Sequence, residues 1–118
     1  MWLVHGLKNC DTCRKARKWL DAEGIAHQFV DVRADGLDRA EVARWAATIG
    51  PKLINRRGTT WRGLPKDAQA RADDDDGMVD LVMAQPALMR RPVFTRGTEV
   101  LQGFDDAVRA ALLTADAD

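Results

Sequence analysis

The chain opens on the short apolar run Trp2-Leu3-Val4. With Met1 and His5 on either side it predicts a strand over residues 1–5, ending in the loop Gly6-Leu7-Lys8-Asn9. From Asp11 the period becomes helical, because Ala16, Trp19, Leu20 and Ala22 recur at helical spacing until Gly24 offers a stop. Phe29, Val30 and Val32 then mark a second strand within Ala26 to Arg33. The opening therefore reads β-α-β, with a right-handed crossover if the strands are parallel. Asp38 can cap a helix through Val42, Trp45, Ala46 and Ile49, which Gly50-Pro51 breaks.

The middle of the chain is polar and helical rather than strand-like. Leu53-Ile54-Asn55 leads into Arg57-Gly58-Thr59-Thr60 and a short helix holding Trp61 and Leu64. Asp73 to Asp76 precede Met78, Val79, Leu81, Val82 and Met83. Four consecutive carboxylates cannot all face one ion, whereas acids at a helix N-terminus are favoured by its dipole, so this run predicts a helix start. After Pro86, the stretch Leu88 to Arg96 and the segment Glu99-Val100-Leu101-Gln102 meet at a Thr95-Arg96-Gly97-Thr98 turn. Strands joined so tightly form an antiparallel hairpin, which turns a parallel start into a mixed sheet. Ala107, Val108, Ala111 and Leu112 predict a last amphipathic helix, and Thr114 to Asp118 read as a frayed end.

At 118 residues the chain can bury one adequate core, and neither a repeat nor a low-complexity linker divides it, so residues 1–118 are expected to form one domain. Lys and Arg total 18 and so do Asp and Glu, which argues against a bulk attraction to nucleic acid or to an acidic membrane. The cations nevertheless cluster. Lys8, Arg14, Lys15, Arg17 and Lys18 gather around the cysteines, and Lys52, Arg56, Arg57, Arg62 and Lys66 gather in the middle; each set read alone predicts a solvated face, with anion binding as the alternative. No segment is long and apolar enough to span a bilayer, and the first residues lack the features of a secretory signal. The expected location is the cytoplasm, where thiols are kept reduced.

The only cysteines, Cys10 and Cys13, stand two residues apart where the first loop meets the first helix. Free N–H groups and the positive end of the helix dipole would face the first sulfur there and favour its thiolate, which makes Cys10 the candidate nucleophile. Cys13, one turn along on the same side, is within reach of a mixed disulfide formed at Cys10 and is the candidate resolving thiol. Two other readings of the pair stay open at this level. A zinc site would need four ligands, and the chain adds only His5 and His27. Two inert cysteines could instead pack as small hydrophobes. His5, on a buried strand, reads as a packed hydrogen-bonded residue, and Trp19, Trp45 and Trp61 read as core or interface aromatics. Lys8 and Asn9, in the loop before the nucleophile, read equally as residues that orient it or an incoming anion and as simple turn residues.

The segments Gly6-Leu7-Lys8-Asn9-Cys10-Asp11-Thr12-Cys13-Arg14-Lys15-Ala16, Asn55-Arg56-Arg57-Gly58-Thr59-Thr60-Trp61-Arg62 and Arg90-Arg91-Pro92-Val93, with the late Gly103-Phe104, together resemble the arsenate reductase-like (ArsC) family. Within it they look most like the YffB and Spx/MgsR branch. The resemblance spans nearly the whole chain and implies an α/β, thioredoxin-like fold: a mixed four-stranded sheet with a helical insertion at about 38–85. It also implies that Cys10 is the catalytic cysteine, that Arg91 binds an oxyanion near it, and that Pro92 is a cis proline bordering the site. Both arginine roles are physically sound, since a guanidinium forks two donors onto an oxyanion and its charge lowers a thiol pKa.

The chain departs from the glutathione-linked arsenate reductases at three points. Those enzymes bring three arginines to the anion, and here only Arg91 has an unambiguous counterpart: the first falls near Asn55 or Arg56, and the last falls near Gln102 and Gly103, where this chain has no arginine. Gly6 stands where they carry a histidine shortly before the cysteine. The expected function is accordingly a thiol-disulfide oxidoreductase with Cys10, Cys13 and Arg91 as catalytic residues and Lys8, Asn9, Arg56 and Pro92 as substrate-binding ones. No bound cofactor and no metal are expected, and glutathione would be the co-substrate. Its partners would be a small thiol, disulfide or oxyanion substrate and glutathione or glutaredoxin, acting on a monomer with no membrane or direct nucleic-acid contact. The resemblance carries two alternatives: a redox-sensing regulator of the Spx type, binding the RNA polymerase α subunit, and a glutaredoxin- or glutathione-dependent arsenate reductase.

Overall fold

The computed structural model describes residues 1–116, within which the chain divides into two compact units, Met1–Asp31 with the segment from Arg91 onward, and Val32–Arg90. The first unit holds β1 (Trp2–Gly6), α1 (Asp11–Ala22), β2 (His27–Asp31), β3 (Val93–Arg96), β4 (Glu99–Gln102) and α6 (Asp106–Asp116). The second holds α2 (Arg39–Ile49), α3 (Thr59–Arg62), α4 (Lys66–Ala70) and α5 (Asp75–Ala84), with 3-10 turns at Gly50–Leu53, Arg71–Asp73 and Pro86–Leu88.

The sheet order is β2-β1-β3-β4. β1 pairs parallel to β2, with Val4 opposite Phe29, and antiparallel to β3, with His5 opposite Val93; β4 then pairs antiparallel to β3, with Gln102 opposite Val93. This mixed four-stranded α/β sheet is the thioredoxin-like arrangement that the resemblance implied. Alternation along β1 and the apolar stripe of α1 face a common core of Trp2, Val4, Ala16, Leu20, Ile25, Phe94, Val108 and Leu112, all buried. Trp19 and Phe104 extend it edge to face, with ring centroids 5.6 Å apart. His5 is buried on β1 and its Nε2 lies 2.8 Å from Thr95 Oγ1, in keeping with a packed, bonded histidine.

Several boundaries differ from the sequence reading. The second strand ends at Asp31 rather than Arg33, because Val32 already turns away into the second unit. Thr95 and Arg96 belong to β3 and only Gly97-Thr98 turn, with Gly97 at φ 59°, a left-handed conformation glycine adopts without cost. The short helix stops at Arg62 and leaves Leu64 outside it. The last helix runs on to Asp116 where fraying was expected from Thr114; residues 117 and 118 of that expectation lie outside the described residues.

In the second unit α2 packs on α5, and Val42, Trp45, Ala46, Met78, Val79 and Val82 are buried. The acidic run starts α5 as expected: Asp74 is the N-cap, its carboxylate accepting the Gly77 N–H at 2.7 Å, and Asp75 and Asp76 fill the first turn. Asp80 on α5 pairs with both Arg39 and Arg71. Ile54 and Met89 form an isolated antiparallel bridge that the sequence did not announce.

Candidate active site

β1 delivers the chain to the loop 7–9, and Cys10 follows as the N-cap of α1, with extended backbone (φ −96°, ψ 121°) and no side-chain cap. The Cys10 N–H donates to Leu7 O at 3.2 Å and its carbonyl accepts Arg14 N–H at 3.0 Å, which closes the loop and starts the helix. The sulfur thus sits where the first-turn N–H groups lack carbonyl partners. It is half-buried, whereas Cys13 is buried on the inner side of α1.

Arg91 reaches this point through the sheet. Because β3 runs antiparallel to β1 and starts at Val93 opposite His5, the residues just before β3 lie beside the loop that leaves β1. The Arg91-Pro92 peptide is cis, as the resemblance implied, and the Pro92 carbonyl accepts Gly103 N–H at 2.9 Å. Arg91 hydrogen-bonds the Cys10 sulfur. Partial burial pushes the Cys10 thiol up, but the Cys13 N–H, the Cys13 thiol and the Arg91 guanidinium all favour the thiolate, and the net result lies below the ordinary thiol value. Cys13 is shifted the other way. Burial and the neighbouring Cys10 sulfur push it up to about 12, against a hydrogen bond with the Leu7 backbone. One cysteine is therefore tuned toward thiolate and the other held as thiol within one helical turn.

Gly6 completes the site and was not singled out for this role in the sequence. A Cβ on Gly6 would lie 2.5 Å from Cys13 Sγ, so the buried position of Cys13 depends on the missing side chain. The signal was present as a departure, glycine where arsenate reductases carry histidine, but its cause lies in a contact across the fold. Lys8 and Asn9 are exposed in the loop immediately before Cys10. Near where the third arginine of those enzymes falls, Gln102 ends β4 opposite Val93 at the start of β3, and Gly103 follows it. Arg56 belongs to the second unit, where its guanidinium stacks 4.9 Å from the Trp61 ring centroid and donates to Ala72 O at 3.4 Å. Among the described residues no group of three or more His, Cys, Asp or Glu side chains could hold a metal, and no helix is long and apolar enough to cross a membrane.

The ArsC family model matches residues 5–112. An uncharacterized protein of Haemophilus influenzae is 36% identical over 107 residues, covering 90% of this chain and 93% of its own length. The solved structure of the YFFB (PA3664) protein matches with a TM-score of 0.88 at 40% identity, covering 96% of this chain and 99% of that one. The global transcriptional regulator Spx of Streptococcus mutans is 26% identical over 108 residues, covering 88% of this chain and 77% of the regulator. With a family match over most of its length and these relatives in the YffB and Spx direction, the chain belongs to the ArsC family.

Proposed function

We propose that this protein is a thiol-disulfide oxidoreductase that uses glutathione as its co-substrate and acts as a cytoplasmic monomer. The observation that supports this most directly is the opposed tuning of two thiols one helical turn apart, with Arg91 on the sulfur of Cys10. In the first step the Cys10 thiolate attacks one sulfur of a disulfide substrate. A Cys10–substrate S–S bond forms, the substrate S–S bond breaks, and the leaving thiolate takes a proton from solvent. Loss of the Cys10 charge then removes one of the two influences holding the Cys13 proton in place. Cys13 releases that proton and attacks Cys10 Sγ, freeing the second substrate thiol and leaving a Cys10–Cys13 disulfide. Two glutathione molecules reduce it and leave as oxidised glutathione, which balances the two electrons.

In this reading Arg91 holds the anionic part of the substrate, Pro92 borders the site, and Lys8 and Asn9 guide the approach of the substrate. Arg56 acts as an anion ligand within its own unit. Arsenate reduction is a weaker reading, because Gln102 and Gly103 replace an arginine of the family pattern. The similarity to Spx supports a second reading, in which the cysteine pair switches a regulator that binds the RNA polymerase α subunit.

Incubating Cys13→Ser with oxidised glutathione and mapping the adduct by mass spectrometry tests the first reading. Glutathione on Cys10 alone is the expected result, and no adduct there would overturn it. Retention of RNA polymerase by the oxidised protein, without turnover of a small disulfide, would favour the regulator.

A further inference from the structure

Three cations that the sequence gathers mid-chain, Lys52, Arg56 and Arg57, converge in the second unit with Arg90 around a cleft of about 530 Å3. Among the described residues no acidic side chain lines it. The solvated face expected from the sequence is thus partly a concavity, and its fourth cation comes from a segment distant in the chain.

The backbone makes this convergence rigid. Asn55 N–H donates to Leu88 O and Arg90 N–H donates to Leu53 O, both at 2.8 Å, on either side of the bridge between Ile54 and Met89. Arg90 is therefore fixed beside the segment that carries the other arginines. The Asn55 side chain accepts Arg57 N–H at 3.1 Å, which holds the turn on which Arg56 and Arg57 project. Arg56 is braced further by the Trp61 ring and by Ala72 O, so less rotamer freedom remains to be lost on binding.

Four cations held this close raise the local positive potential, and a bound anion relieves that mutual repulsion. Guanidinium forks match the paired oxygens of phosphate and carboxylate groups, and the volume is that of a small-molecule site. Buried Ile54 forms part of the lining, which leaves a partly apolar wall against which a ligand body can rest. We infer that this cleft binds a compact molecule carrying two or more anionic groups, phosphate or carboxylate. The cleft shares Arg56 with the anion ligands of the proposed function, but its occupancy is read by binding alone, without Cys10 chemistry, so either reading can fail while the other stands.

The test is calorimetric titration of the full-length protein with pyrophosphate and, separately, with citrate, at low and at high ionic strength. Saturable one-site binding of at least one of them is expected, weakening as salt rises. Loss of one charged contact should weaken it about tenfold in Arg57→Gln and again in Arg90→Gln. The ligand that binds identifies phosphate or carboxylate as the recognised group. Lys15→Gln/Lys18→Gln, which alters the other basic cluster, should leave the affinity unchanged. Absence of saturable binding of both probes overturns the inference, and so does affinity that falls in the α1 variant but not in Arg57→Gln. Near-ultraviolet circular dichroism of each variant confirms that its fold is intact before titration.

Discussion

Gly6 lacks a Cβ where Cys13 places its sulfur: the atom, if present, would stand 2.5 Å from Cys13 Sγ and 3.4 Å from Cys13 Cβ. The last residue of β1 and the first turn of α1 therefore interlock through a missing side chain. Gly6→Ala is expected to destabilise the fold by about 1–3 kcal/mol, the usual cost of overpacking a filled site. Much of that penalty should vanish in a Cys13→Ala background, because the closer clash is with sulfur. Urea unfolding midpoints of the four proteins in that cycle measure the coupling.

Cys10 should alkylate with iodoacetamide at a rate whose half-point lies below the ordinary thiol pH, since the Cys13 N–H, the Cys13 thiol and Arg91 favour the thiolate against partial burial. Arg91→Ala removes a hydrogen bond and a positive charge and should move the half-point upward. Arg91→Lys, which keeps the charge but not the fork, should fall between. Cys13 should stay unlabelled in the native protein through neutral pH, because burial holds it as a thiol up to about pH 12. An unshifted profile in Arg91→Ala would remove the activated nucleophile from the mechanism.

His5 is held neutral by burial, its pKa lowered from 6.5 to about 4. Unfolded chains bind a proton on this residue between those values and the native protein does not, so the stability it contributes is complete above pH 6.5 and is lost as pH falls toward 4. The loss amounts to about 3 kcal/mol at most. His5→Gln should flatten the pH dependence of the urea midpoint across that window, at the cost of a lower stability at neutral pH.

Gly77 in the first turn of α5 is a second position that admits no side chain, since a Cβ there would overlap the Arg71 carbonyl. Gly77→Ala is expected to cost about 3 kcal/mol. Asp74→Ala, which removes the cap on Gly77 N–H, should cost about 1 kcal/mol. Chemical denaturation followed by tryptophan fluorescence distinguishes the two magnitudes.

Elements whose signal is local were readable in the chain. Asp38 and Asp74 cap their helices as their positions before apolar periodicity imply, and the Gly97 turn closes the hairpin. Errors fell where a local rule met a tertiary demand. Val32 has the residue type of a strand but leaves the sheet to enter the second unit, and the bridge between Ile54 and Met89 joins segments with no shared periodicity. Arg90 could not be assigned to the basic cluster of Lys52, Arg56 and Arg57, because only that bridge brings it there.

By itself the chain determined the order of strands and helices and the position of Cys10 at a strand-to-helix junction, because hydrophobic period, capping residues and turn glycines act over a few residues. Its place at the helix start already marked Cys10 as the sulfur favoured as thiolate, and the tertiary structure added what separates the two thiols further, a guanidinium at Cys10 and burial of Cys13. Antiparallel pairing of β3 with β1 carries Arg91 to the Cys10 sulfur, and the bare Gly6 backbone lets Cys13 sink into the interior. Both effects depend on desolvation and charge proximity, quantities that exist only once segments far apart in the chain have been brought together.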